Sequence, residues 1–209
     1  MPTSSPRVIC PTCQRPEKVC LCQWIQPIDN LVKIGILQHP AEVTQIKGTA
    51  KIAALSLQNC RLWIGEDFTQ EDTLHDWLAE GHVFILYPET EALDELNTPD
   101  DCPETYQIEQ TRLQGDMGHL KVLVLDGTWR KTHKMMMKNT FLHRIHRLAL
   151  NPVIPSSYKI RKQKDSGSLS TLEAIYEVLI QLEQNEEKYL PLIHAFKEMV
   201  NQQLAFRKK

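Results

Sequence analysis

Val122-Leu123-Val124-Leu125-Asp126-Gly127-Thr128-Trp129-Arg130-Lys131 is the stretch on which the fold turns. Its aliphatic start reads as a buried strand. The strand stops on Asp126-Gly127, and a polar, basic segment follows. In open α/β sheets, ligands sit just beyond the carboxyl ends of strands. An Asp-Gly-Thr-Trp placed there offers one ligand a carboxylate, a permissive backbone, a hydroxyl and a flat ring. Asp126 and Thr128 are also competent helix N-caps, and Trp129 would equally serve a core.

Working outward, residues 31–38, 61–64, 82–87 and 145–150 read as further strands, and Pro40, Pro88 and Pro152 punctuate three of them. Helical patterns fall between them, at 48–57, around Leu74-Trp77-Leu78 and at 129–138. In the last of these, Met135, Met136 and Met137 read as packing residues. Ser170-Thr171-Leu172-Glu173 is a capping box opening a helix with Leu172, Ile175, Tyr176, Leu179 and Leu182 on one face. A final helix is expected over 190–206. Residues 89–111, acidic and broken by Pro99 and Pro103, read as a loop with helical pieces, and Glu89, Glu91 and Glu95 there as a solvated acidic segment. Strands alternating with helices predict an α/β fold with a mostly parallel sheet and helices on both faces. If the strands at 82–87, 121–125 and 145–150 are neighbours, Tyr87-Pro88, Asp126 to Trp129 and Ser168 to Thr171 form one pocket. His39, at a strand end, is either a ligand contact or a polar loop residue.

The N-terminus carries Cys10-Pro11-Thr12-Cys13 and Cys20-Leu21-Cys22, a C-x2-C-x6-C-x-C spacing. Four thiols within so short a segment suit a closed tetrahedral zinc site, which leaves no open position for catalysis. Residues 1–26 are therefore expected as a small metal-bound module, with residues 27–209 as the main domain. The absence of an apolar signal core argues against disulfides and for a cytoplasmic protein.

The 209 residues are 42% hydrophobic with a net charge of −2, but the charge is segregated. Residues 62–111 hold 14 Asp/Glu and no Lys or Arg, whereas residues 130–164 hold 10 Lys/Arg and no Asp/Glu. A basic tract of this kind suits a polyanion such as RNA. There is no Gly-x-Gly-x-x-Gly, no Walker loop and no Gly-x-Ser-x-Gly, which argues against phosphate-cradling nucleotide enzymes and Ser hydrolases.

Together these segments resemble the DTW-domain family. The resemblance rests on the Cys cluster with Arg15-Pro16, His39-Pro40-x-Glu42, Asp126-Gly127-Thr128-Trp129, and Tyr158-x-x-Arg161 followed by Ser168-Leu169-Ser170-Thr171-Leu172-Glu173-Ala174. These occur in the family's order and span nearly the whole chain. One departure is Lys47-Gly48-Thr49, where an Asn-Thr pair is expected. Thr49 is retained.

The resemblance implies a SPOUT-like α/β fold with a C-terminal trefoil knot. It implies transfer of the 3-amino-3-carboxypropyl group of S-adenosylmethionine to N3 of a tRNA uridine. Asp126 is then the catalytic candidate. Leu86, Tyr87, Pro88, Asp126, Gly127, Thr128, Trp129, Arg161, Ser168, Leu169, Ser170 and Thr171 form the donor-binding set. Arg130, Lys131, Lys134, Arg144, Lys159, Lys162 and Lys164, with Lys138 and Arg147, would contact tRNA phosphates. A methyltransferase using the same donor and a zinc-bearing RNA-binding module without catalysis are the competing readings.

Overall fold

A computed structural model describes residues 8–45, 48–87, 104–114, 116–150 and 169–207. Its centre is β5 (Leu120–Asp126), buried at every position. A strand buried on both faces needs cover on both faces, which is the environment of a parallel sheet between helix layers. The sheet has six strands in the order β2-β1-β5-β3-β6-β4, and every pairing is parallel. The other strands are β1 (Lys33–Gln38), β2 (Cys60–Ile64), β3 (His82–Leu86), β4 (Thr105–Gln107) and β6 (His146–Ala149).

Alternation along the strands sorts the core into two layers. On one face Ile34, Ile36, Val122, Val124, Phe84 and Leu148 meet α2 (Ala50–Ser56), α6 (Thr171–Glu183) and α7 (Glu186–Arg207). On the other, Leu37, Trp63, Ile85, Leu123 and Leu125 meet α3 (Asp72–Ala79) and α5 (Trp129–Lys138) through Leu74, Trp77, Met135 and Met136. Gly35 belongs to the second face because Trp77 occupies the space of a side chain. A Cβ there would lie 2.9 Å from both the indole and Leu123 Cδ1. A helical turn, α1 (Pro40–Val43), leaves β1, and α4 (Ile108–Gln114) follows β4.

The expected α/β layering is present, and the strands at 82–86, 120–126 and 146–149 are neighbours as the pocket reading required. Two element readings change. Residues 105–107 form β4 rather than loop, because Tyr106 packs edge-on against Phe84 and β6 offers an open edge. Helix α7 begins at Glu186, not near Leu190, and Pro191 lies within it. Asn185 Oδ1 accepts the Lys188 amide at 3.1 Å and opens that helix ahead of the proline.

The N-terminal segment is stitched to the main core. Leu21 is fully buried in the α2/α6/α7 layer, Trp24 and Ile25 pack against it, and the Arg15 guanidinium reaches Met199 Sδ of α7 at 3.2 Å. The trefoil knot depends on the path of residues 151–168, which lie outside the described residues. Among the described residues no helix is long and apolar enough to cross a membrane.

Candidate active site at the β1–β5 switch point

From β1 the chain turns to β2 on one side of the sheet, and from β5 it crosses to β6 on the other. Neighbouring parallel strands whose connections leave in opposite directions open a crevice at their carboxyl ends, the usual ligand position in such sheets. Gln38 and Asp126 are register partners at that point. Gln38 Nε2 donates to Asp126 Oδ2 at 2.8 Å, and the His39 amide donates to the Asp126 carbonyl at 3.0 Å. Asp126 is 6% exposed, and its other oxygen, Oδ1, accepts the Thr171 hydroxyl at 2.6 Å. The carboxylate is thus clamped between a strand end and the first residue of α6.

Helix α6 is held to the corner by its own cap. Ser170 Oγ accepts the Glu173 amide at 3.3 Å, while Glu173 Oε2 takes the Ser170 amide at 2.8 Å. Thr49, at the N-terminus of α2, accepts the Leu172 amide at 3.4 Å. The expected Ser-Thr turn and Thr49 are therefore in the same corner as Asp126. Leu169 is half-buried beside them, and Pro88, Arg161 and Ser168 lie outside the described residues.

Beyond Asp126, Gly127 lies against α5. A Cβ at this position would come within 3.2 Å of both Lys131 Cβ and Thr132 Cγ2. Thr128 occupies the N-cap position of α5, but its hydroxyl makes no capping bond. Trp129 is 55% exposed and stacks on Tyr87, with ring centroids 5.4 Å apart and planes 17° apart. His133 follows one helical turn on, 6.4 Å from the indole. Tyr87 is buried next to half-buried Leu86, and its hydroxyl has no hydrogen-bond partner among the described residues. Burial pushes that phenol up to about 12, against a smaller opposing pull from the Arg147 charge. A buried polar atom without a partner, beside an exposed aromatic face, is a feature a bound ligand satisfies.

His39 is buried in this corner. Its Nδ1 accepts the Ala41 amide at 3.1 Å, so the neutral ring carries its proton on Nε2, which faces Glu66 Oε1 at 2.8 Å. Glu66 Oε2 also receives Lys134 at 2.7 Å and Lys138 at 3.0 Å. Those two ammonium groups, Lys134 foremost, hold the Glu66 carboxyl down to about 2. Lys131 is paired with Glu42 at 2.7 Å. Of the basic residues expected to meet phosphate, Arg130 and Arg144 are exposed, and Lys131 and Lys134 stand in these ion pairs. Arg147 corrects the expectation. It is 4% exposed within β6, too deep to present a surface charge. Lys159, Lys162 and Lys164 lie outside the described residues.

Sequence reasoning missed Gln38, Glu66 and His133. Gln38 was visible only as the polar end of a strand, and its role needs the β1–β5 register. The lysine partners of Glu66 come 68 and 72 residues later.

In the N-terminal segment, the sulfur atoms of Cys10, Cys13, Cys20 and Cys22 lie within 4.8 Å of one another. Cys10 and Cys22 are 3.6 Å apart, and Cys13 and Cys20 are 3.7 Å apart. Zn–S bonds of about 2.3 Å in a tetrahedron require sulfur separations of about 3.8 Å, so the four thiols fit such an ion. Burial and its three cysteine neighbours push the Cys22 thiol up to about 12, and backbone hydrogen bonds hold Cys10 down to about 6. Four thiolates can coexist there only around a cation.

A family model described as the DTW domain matches residues 7–204. The chain is 30% identical over 182 residues to tRNA-uridine aminocarboxypropyltransferase 2 of Macaca fascicularis, an alignment covering 84% of this chain and 57% of the relative. Identity and coverage are the same for the protein of that name from Mus musculus. The Drosophila melanogaster protein of that name is 29% identical over 202 residues, covering 93% of this chain and 74% of its own. The chain therefore spans little more than half the length of the two mammalian relatives. No solved structure matches it. With the match running almost from end to end, and with Asp126-Gly127-Thr128-Trp129 at the sheet's switch point, this chain belongs to the DTW domain family.

Proposed function

We propose that the protein transfers the 3-amino-3-carboxypropyl group of S-adenosylmethionine to N3 of a uridine in tRNA. The names of its relatives support the reaction class. The observation that carries it to particular atoms is the Asp126 clamp beside the Tyr87–Trp129 stack. The donor supplies an electrophilic carbon next to its sulfonium: the S–C bond breaks as the N3–C bond forms, the N3 proton departs, and 5′-methylthioadenosine leaves.

What the chain must supply is a handle on that N3 proton, because the uridine imide is protonated at neutral pH. Asp126, held at the strand end by Thr171 and Gln38, is the carboxylate in this corner. Asp126 orients the imide N–H and receives its proton, a role for which a positioned side chain typically contributes on the order of a hundred-fold or more. Trp129 offers its exposed face to a flipped uridine. Tyr87 and Leu86 wall the donor, with Pro88 next in the chain. Gly127 and Thr128 line its floor. The N-terminus of α6 at Leu169, Ser170 and Thr171, with Ser168 and Arg161 before it, receives the carboxylate of the donor arm. A SPOUT-like fold with a C-terminal trefoil knot belongs to the same reading. Zinc held by Cys10, Cys13, Cys20 and Cys22 braces the N-terminal segment against α7.

The test is incubation of unmodified tRNA with donor labelled in the aminocarboxypropyl arm, followed by nucleoside mass spectrometry. The expected result is a uridine heavier by that group. A methyl gain with S-adenosylhomocysteine as product would make the protein a methyltransferase. No gain, with donor demonstrably bound, would leave an RNA-binding module without catalysis.

A further inference from the structure

The edge of the sheet opposite the Asp126 corner carries an open cleft of about 500 Å³. Lys33, Arg61 and Lys121 line it from the starts of β1, β2 and β5, and Asp76, Trp77 and Glu80 line it from α3. Five residues of strand separate Lys121 from Asp126, roughly 17 Å, so this cleft is not part of the candidate active site.

The three cations share one face of the sheet. Lys33 and Lys121 are register partners, and Arg61 is the partner of Gly35, two residues on from Lys33. Like charges directly opposite one another destabilise a sheet. Lys121 is also 2% exposed, and burial lowers its pKa, with the charge of Lys33 adding to the effect and Glu80 opposing it. Its ammonium donates to the Trp77 carbonyl near the end of α3, and it lies 5.0 Å from the Trp77 ring centroid. Supporting that helix end accounts for Lys121, but not for Lys33 or Arg61. Among the described residues none of the three is ion-paired to a carboxylate, and Asp76 and Glu80 are exposed on α3.

We propose that this cleft is a phosphate-binding site, in which Lys33 and Arg61 grip one phosphate group and buried Lys121 adds its charge. The Arg61 fork matches phosphate geometry, and the two lysines serve as point charges. The phosphate group is either a phosphodiester of the bound tRNA or the free anion, and the two sources give different results.

The experiment compares the intact protein with Lys33→Gln/Arg61→Gln, which leaves buried Lys121 in place. Arg61→Gln alone, at an exposed position, serves if the double variant folds poorly. Melting temperature is followed against inorganic phosphate, with chloride at matched ionic strength as control. Binding to tRNA is followed against salt. A saturable phosphate-specific rise in melting temperature that is lost in the variant, with tRNA affinity unchanged, assigns the site to free phosphate. About tenfold weaker tRNA binding in the double variant, with a log–log salt slope smaller by about 1, assigns it to the RNA backbone. Equal phosphate response in both proteins together with unchanged tRNA affinity and slope overturns the proposal. Neither measurement requires group transfer, so the outcome is separate from that of the transferase reading.

Discussion

Thr171 donates its hydroxyl to Asp126 Oδ1 at 2.6 Å, across 45 residues of chain. The bond ties the first residue of α6 to the last residue of β5. It makes the orientation of the carboxylate a property of helix docking rather than of the strand alone. Thr171→Val removes the donor at nearly constant shape and leaves a buried acceptor short of a partner, at a cost of about 1–3 kcal/mol. Denaturant unfolding should register that loss, and turnover should fall about tenfold or more, whereas Thr171→Ser should keep both. A Val variant at full rate would show that the clamp does not position Asp126.

Asp126→Asn tests the carboxylate itself. An amide in this place sets its N–H₂ against the donor of Gln38 or of Thr171. Group transfer to tRNA should fall at least roughly a hundred-fold while tRNA affinity stays near that of the parent. Single-turnover rates with prebound tRNA separate the two quantities.

Trp129 is the most exposed aromatic partner in the corner, so its loss should scarcely touch the fold. Trp129→Ala should weaken binding of the uridine-bearing stem-loop by about 1–3 kcal/mol, the usual value of one base–aromatic stack, and Trp129→Phe should recover most of it. Fluorescence anisotropy of labelled RNA reads this directly.

Glu66 gives the acid limb of stability a defined feature. Lys134, and after it Lys138, lower its carboxyl from an ordinary 4.5 to about 2. Because the folded value lies below the unfolded one, its stabilisation is complete above about 4.5 and is lost as the pH falls towards 2. Glu66→Gln should lower the denaturation midpoint near neutrality and flatten the pH dependence through that window. Raising the salt concentration should shrink the difference.

Metal removal should act on the whole protein, because Leu21 between two of the thiols is buried in the main core. Chelation should release zinc in proportion to protein and lower the melting temperature. Cys13→Ser should reproduce both effects, since metal binding at such sites is coupled to folding. Metal analysis and a thermal melt on the same sample suffice.

Much of this layout is legible in the residues because local pattern and final environment agree. The aliphatic run before Asp126 is a strand in any context that buries it, and Ser170 with Glu173 forms a capping box from local geometry alone. The readings that failed depend on partners far away in the chain. β4 is three residues long and exists because β6 has a free edge for it. The start of α7 was hidden by Pro191, which marks a first turn when read locally but here lies inside a helix opened by Asn185. The Asp-Gly-Thr-Trp segment announced a ligand corner, yet Gln38 entered it only through strand register, and Glu66 through His39 and two lysines on a helix that follows β5.

The strand order also has a consequence for synthesis on the ribosome. Gln38 finds its partner 88 residues later, because β5 fills the gap between β1 and β3 only after both have been made. Until Asp126 has emerged, β1 and β3 each present an apolar unpaired edge, the kind of surface that invites mispairing between nascent chains. A ribosome stalled before that point should therefore carry a protease-sensitive, chaperone-dependent chain. Resistance should appear only once α7 has been released, because its Tyr189, Leu192 and Phe196 complete the core against which α6 packs.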